Sequence, residues 1–389
     1  MVETLKSKRL QGTGEYYFSS KLREIEQLNV EGKNILNLGI GSPDQAPSES
    51  VKKSLVDSLD EKGFHQYQSY KGLPELRSSF SAWYKSYFEV ALDPDTEILP
   101  LIGSKEGIMH ISMSFLDEGD QVLIPNPGYP TYASVTRLAG GTAIPYNLKA
   151  SNSYLPDFYE LEKLDLSDVK IMWVNYPHMP TGKEGTAELF EKLRAFSRRH
   201  KIIIVNDNPY GFILTDKQLS ILKGSQQNDL ILELNSLSKS HNMAGWRVGV
   251  LAGHKELIQT VLTFKSNMDS GMFKPIMRAA SEALSLPKSW YKEINQEYSR
   301  RRVLVCKIAD VLGCSFDPEQ VGMFLWCRIP SDAENGKEFA DYLLQEYRIF
   351  VPPGMIFGSE GDQYIRFSLC STVDIWEQVI KRIQEKRKE

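Results

Sequence analysis

The feature that most narrows the fold is a rhythm of seven short apolar runs, near residues 97–102, 121–125, 142–146, 170–174, 201–205, 230–234 and 248–252. Most are separated by segments with helical spacing, and turn residues close them. Lys201-Ile202-Ile203-Ile204-Val205 is the clearest: β-branched, unbroken and apolar enough to be covered on both faces. Strands that alternate with helices build a parallel sheet between two helical layers. The expected fold is therefore α/β: a three-layer α/β/α large domain over residues 46–284 with a mostly parallel seven-stranded sheet. A smaller α+β domain is expected from the N- and C-terminal segments, residues 1–45 and 285–389. A helical pattern over about residues 275–312 reads as one long helix linking the two, and Cys314 to Ile329 reads as strands.

Chemistry-bearing residues fall where the apolar runs stop: Gly103, Tyr129, Asn175, Asp207 and Lys239. Open α/β sheets bind ligands outside the carboxyl ends of their strands. Gly103-Ser104-Lys105 opens a helix, whose unpaired N–H groups and positive dipole end suit a phosphate. Asp207 closes the most buried strand, where a carboxylate can hold a protonated pyridine nitrogen. Lys239 stands between Ser238 and Ser240, with Ser236 before it and Arg247 after it. A lysine amine among hydroxyls and a second cation suits a Schiff base to a phosphorylated aldehyde. Each feature also has a plain reading: a helix start, an N-cap, a solvated loop.

Taken together, Ser236-x-Ser238-Lys239 followed by Gly245-Trp246-Arg247-x-Gly249 resembles the cofactor-lysine signature of the class I/II aminotransferases, fold-type I pyridoxal-phosphate enzymes. The resemblance recurs in order at Tyr67…Gly72-x-x-x-Leu76-Arg77, Gly103-Ser104-Lys105, Asn175-x-Pro177-x-x-Pro180-Thr181-Gly182, Asp207-x-x-Tyr210 and Arg366-x-Ser368. It implies pyridoxal 5'-phosphate as cofactor, carried by Lys239 as Schiff-base lysine and proton shuttle. It further implies Asp207 against the ring nitrogen, Tyr210 and Asn175 at the phenolic oxygen, and Tyr129 stacked on the ring. The phosphate would meet Gly103, Ser104, Lys105, Ser236, Ser238 and Arg247, with Tyr67 reaching across a homodimer interface. Gly41, Asn175 and Arg366 would hold the substrate, Arg366 gripping its carboxylate. The implied activity is transfer of an amino group from an L-amino acid to a 2-oxo acid by a ping-pong mechanism. His178 and Met179 depart from the family's usual Asn-x-Pro-x-Asn-Pro-Thr-Gly, and His178 also reads as a turn residue.

The same scaffold supports a C–S lyase acting by β-elimination, and a non-catalytic pyridoxal-phosphate-binding module. The latter needs an appended DNA-binding domain, for which residues 1–30 are too short. The 46 basic and 50 acidic side chains leave a formal charge of −4, so nothing points to nucleic acid or to an anionic membrane. Met1 to Arg9 carries charges but no apolar stretch after them, and no run reaches membrane length, so a cytoplasmic protein is expected. The four cysteines lie in the last quarter with no C-x-x-C pair, so neither a metal centre nor disulfides are expected. A pocket for dicarboxylic substrates needs a second cation, which the sequence does not place.

Overall fold

The computed structural model describes residues 7–10 and 17–386. The reading of residues 1–6 as free of a leader, and the charged end beyond residue 386, lie outside the described residues. Among the described residues eleven strands run in chain order: β1 Leu36–Asn37, β2 Ile98–Leu101, β3 Gln121–Asn126, β4 Thr142–Asn147, β5 Val169–Val174, β6 Ile203–Asp207, β7 Ile231–Ser236, β8 Gly249–Gly253, β9 Phe324–Arg328, β10 Ile349–Phe350 and β11 Tyr364–Ser368. Each of the seven apolar runs is a strand of one sheet, ordered β2-β8-β7-β6-β5-β3-β4. The sheet is parallel except for β8, which runs antiparallel to both β7 and β2. Pro100 and Pro145 sit on β2 and β4, the two edges, where a residue without an N–H costs the ladder least.

Period-two alternation sorts the sheet's side chains into two cores. Ile171, Trp173, Ile203, Val205, Leu232 and Leu234 point into one layer, which the helices Ser104–Phe115, Thr131–Leu138 and Lys255–Ser266 cover. Met172, Val174, Ile204 and Ile231 point into the other, beneath Pro74–Phe88, Ala187–His200 and Lys274–Leu284. Both faces are buried, which is why the strands read as continuous apolar runs. A separate apolar cluster gathers β9, β11 and the helices Lys288–Val311, Gly336–Tyr347 and Val373–Lys386. β9 and β11 pair antiparallel, and β1 joins β10 in parallel, tying residues 36–37 to the C-terminal part.

Two expectations need correction. The pattern over residues 275–312 is two helices, Lys274–Leu284 and Lys288–Val311. Pro287 separates them, because it disfavours helical backbone before it and offers no N–H to the preceding turn. Between Cys314 and Ile329 only β9 is a strand, with Ser315 bridging to Arg328. The intervening loop is held by the Gln320 side chain, which accepts from the Trp326 N–H and donates to the Trp326 carbonyl, at 2.8 and 2.9 Å.

Candidate active site

The ends of β2, β3, β5, β6 and β7 open onto one cavity of about 390 Å³. Ser104, Lys105, Tyr129, Asn175, Asp207, Tyr210, Ser236, Ser238, Lys239, Arg247, Gly41 and Arg366 all line it. Gly103 does not line it directly. It precedes the helix Ser104–Phe115 with φ +85°, and a Cβ there would lie 2.2 Å from Arg247 Nη2, so its bareness seats that guanidinium at the helix start. Gly249 does similar work: a Cβ would stand 2.7 Å from the Ser104 nitrogen, so β8 can press against the same helix terminus. Ser236 Oγ donates to Ser238 Oγ at 2.9 Å and accepts from the Ser238 N–H at 3.1 Å. Backbone N–H groups, two hydroxyls, Lys105 and Arg247 thus converge at one end, a donor set with the chemistry of a phosphate cradle.

Asp207, 5% exposed, anchors the middle of the cavity. Its Oδ2 accepts from the Tyr132 hydroxyl at 2.9 Å, while Oδ1 has no hydrogen-bond partner among the described residues. Burial pushes this carboxyl up to about 6 against the steadying effect of Tyr132. An orphaned, buried carboxylate oxygen that faces a cavity calls for a donor, preferably cationic. A protonated pyridine nitrogen meets that need, so the residues present fit pyridoxal phosphate. Tyr132 was passed over in the sequence, where Tyr129 was favoured for ring stacking. Both line the cavity, but Tyr132 is buried flat against Trp173, at 5.0 Å and 7°, whereas Tyr129 is half-buried. No spacing rule would have paired Tyr132 with Asp207, because the contact joins the first turn of one helix to the end of a strand far along the chain.

Lys239 lies in the short helical turn Leu237–Ser240, and its Nζ donates to the Gly41 carbonyl. Burial lowers its pKa, and the Arg366 and Arg247 charges act in the same direction. Asn175 is largely committed to the backbone: its NH2 donates to the Asp207 carbonyl, and its oxygen accepts from the Met179 N–H at 2.8 Å. It therefore braces β5 to β6 and keeps at most one N–H for a ligand. Tyr210 stands edge-on to Phe324 at 5.7 Å, and burial raises its hydroxyl well above the ordinary tyrosine value.

The far end is built from other elements. Arg366, on β11, is 4% exposed; its Nη2 donates to the Gly39 carbonyl at 2.9 Å. The guanidinium lies 3.9 Å from the Phe324 ring centroid and 4.7 Å from that of Phe357. The plain alternative, a surface arginine on a half-exposed strand, is thereby excluded. Gly41 is crossed closely, since a Cβ would fall 2.5 Å from Phe324. His178 is a buried turn residue, its Nδ1 2.8 Å from Thr181 Oγ1, and burial holds it down at about 3. Tyr67 does not line the cavity and is 90% exposed. A cluster of Glu106, His110 and Asp269 has ligand-type atoms, but Lys265 Nζ already sits 2.7 Å from Asp269, so it is an ion-pair cluster with its cation supplied. Among the described residues no helix is long and apolar enough to cross a membrane.

Comparison with known proteins agrees with this geometry. The sequence profile of aminotransferase class I and II matches residues 33–383. LL-diaminopimelate aminotransferase 2 of Trichormus variabilis is 35% identical over 97% of this chain and 98% of its own. Among solved structures, substrate-bound BacF from Bacillus subtilis superposes with a TM-score of 0.93 at 32% identity, over 98% of each chain. An aromatic aminotransferase from Pyrococcus horikoshii gives 0.85 at 30% identity, over 91% of this chain and 96% of that one.

Proposed function

The chain belongs to the class I and II aminotransferases, a pyridoxal-phosphate-dependent family, and from that premise we propose how its own residues divide the work. It is an aminotransferase acting on an amino acid and a 2-oxo acid. The observation that carries the assignment of roles is the cavity itself, with the orphaned oxygen of Asp207 and the amine of Lys239 on its walls. Pyridoxal phosphate bound there supplies a carbonyl carbon for the substrate amine and a protonated ring that draws electrons from the reacting carbon. Lys239 would carry it, Asp207 would hold the ring nitrogen, Tyr129 would lie against the ring, and Tyr210 with Asn175 would face its phenolic oxygen. The helix start at Ser104, with Lys105, Ser236, Ser238 and Arg247, would take the phosphate.

Arg366 grips the substrate carboxylate in its fork, and Gly41 lets the backbone cross close above. Lys239, its amine's pKa lowered by burial and by neighbouring cations, would remove the α-proton and return it two atoms away, on the carbon that the cofactor supplies. Ping-pong transfer follows, since donor and acceptor use the same groups in turn. As domains we propose residues 46–284, and residues 1–45 with 285–389, a division that most members of the two apolar clusters follow, with Met179, Ile213 and Tyr291 packing across it.

A homodimer is part of the same proposal. Tyr67, Tyr70, Met268 and Phe273 leave an exposed apolar patch, and Gly271 packs on Gln68 so tightly that a Cβ would sit 2.6 Å from its carbonyl oxygen. Such a patch suits a two-fold interface that brings Tyr67 to a partner's phosphate site. Unpaired thiols, three of them buried, suit a reducing cytoplasm. The test of function is to incubate the enzyme with an amino donor and 2-oxoglutarate. A new 2-oxo acid matched by glutamate is expected; pyruvate and ammonia formed without an acceptor would point instead to elimination.

A further inference from the structure

The aminotransferase reading leaves the donor's side chain open, and the cavity lining addresses it. Among the described residues, five charged side chains line the cavity: Lys105, Asp207, Lys239, Arg247 and Arg366. Lys105 and Arg247 belong to the helix-start end, Asp207 is held by Tyr132, and Lys239 and Arg366 serve the reacting amino acid's own amine and carboxylate. The remaining wall on the Arg366 side is mostly apolar, with Leu22, Ile40, Met179, Phe324 and Phe357 beside the hydroxyl of Ser42. Met179 Sδ lies 3.3 Å from Arg366 Nη1, so the residue that departs from the family pattern puts a thioether beside the guanidinium. Leu22 and Ile40 are 37% and 43% exposed, large aliphatic side chains in the cavity lining that an apolar ligand group can cover.

Resting on the aminotransferase reading, we propose that the preferred amino donor carries a bulky apolar side chain, aromatic or branched aliphatic, seated between Leu22, Ile40 and Met179. Among the described residues that line the cavity, a second carboxylate on the donor would meet no further cation and a distal ammonium no further acid, so each would lose water without recompense. Diaminopimelate carries both groups. The preference is thus set against the substrate named for the Trichormus relative.

The experiment uses the holoenzyme and follows single-turnover half-reactions by cofactor absorbance, with L-phenylalanine, L-leucine, L-aspartate and LL-diaminopimelate. Binding of two unreactive acids, 3-phenylpropanoate and succinate, is measured alongside by calorimetry. The expected result is that phenylalanine and leucine exceed aspartate and diaminopimelate by at least about tenfold, the scale on which apolar pockets discriminate. Tighter binding of 3-phenylpropanoate than of succinate should accompany it. Leu22→Lys and Ile40→Lys should narrow or reverse both preferences. Aspartate or diaminopimelate equal to or faster than phenylalanine would overturn the proposal, as would succinate binding more tightly. No transfer from any donor, with 3-phenylpropanoate still the tighter ligand, would strike the transfer activity and leave the apolar subsite standing.

Discussion

The two ends of the cavity are made differently. The end that suits a phosphate and a ring is assembled from the termini of parallel strands in one sheet: Ser104, Asn175, Asp207 and Lys239 each follow or close a strand. The end around Arg366 is assembled from segments far apart in the chain: residues 39–41, Met179, β9, β11 and Leu22 of the helix Tyr17–Val30. The first is held by the hydrogen-bond ladder of a sheet buried on both faces. The second is held by side-chain contacts between parts, among them Arg366 to Gly39, Ser368 Oγ to the Ile40 carbonyl at 2.6 Å, and Arg301 to Asp44 at 2.7 and 2.9 Å. A scaffold built this way can keep its chemistry fixed while its substrate end varies.

The contrast breaks most visibly at Lys239. Lys239→Ala should lower turnover by about four orders of magnitude, since it removes both the cofactor's anchor and the proton carrier. Circular dichroism and thermal melting should show the fold kept, because among the described residues the side chain's one hydrogen bond is to the Gly41 carbonyl. Turnover within tenfold of the wild type would show that the sheet end does not carry the chemistry.

Arg366→Ala tests the other end. A buried, hydrogen-bonded cation lost from a carboxylate pair costs about 3 kcal/mol, so kcat/KM should fall roughly a hundredfold for every donor alike. Cofactor absorbance should remain, because Arg366 stands apart from the helix-start donors. Loss of absorbance with activity would mean that the two ends are not separable. A smaller effect is expected for Arg301→Ala, which cuts the clamp on the segment carrying Gly41. Arg301 is 3% exposed but Asp44 is 27% exposed, so solvent softens the loss to about 2 kcal/mol of unfolding stability, read from urea denaturation.

The same contrast explains what the sequence disclosed. Strand-end residues announce themselves, because an apolar run must stop and what stops it is Gly103, Asn175 or Asp207. The seven strands are legible for that reason, whereas the edge positions that tolerate Pro100 and Pro145 come from the sheet order. The break at Pro287 was within reach, but helical spacing on both sides hid it. Tyr132 on Asp207, Leu22 in the cavity lining and Met179 on Arg366 were not readable as contacts. They depend on how separate segments pack, and no local periodicity records a distance between residues 22 and 366.

The finest test sets Asp207's binding role against its structural cost. In the cofactor-free protein the folded-state pKa of Asp207 is raised to about 6 from the ordinary 3.8, chiefly by burial. For a raised carboxyl the folded state keeps its proton longer than the unfolded chain. Its cost is therefore absent below about pH 4, grows as pH rises between 4 and 6, and is complete above that. The shift of about two units corresponds to roughly 3 kcal/mol at most. Asp207→Asn should remove that cost, so the cofactor-free variant should be more stable than the wild type at pH 7.5, by about 1–3 kcal/mol. The gain should fade as pH is lowered to 4. It should be matched by weaker cofactor retention, since a neutral amide cannot pair with a protonated ring nitrogen. Arg366→Ala, which removes no raised carboxyl, should show no such pH-dependent gain. Chemical denaturation of both cofactor-free variants across pH 4 to 8 checks this. Equal stability of Asp207→Asn and wild type at pH 7.5 would mean that the orphaned oxygen is satisfied in solution, and the case for its facing a cationic ring would weaken accordingly.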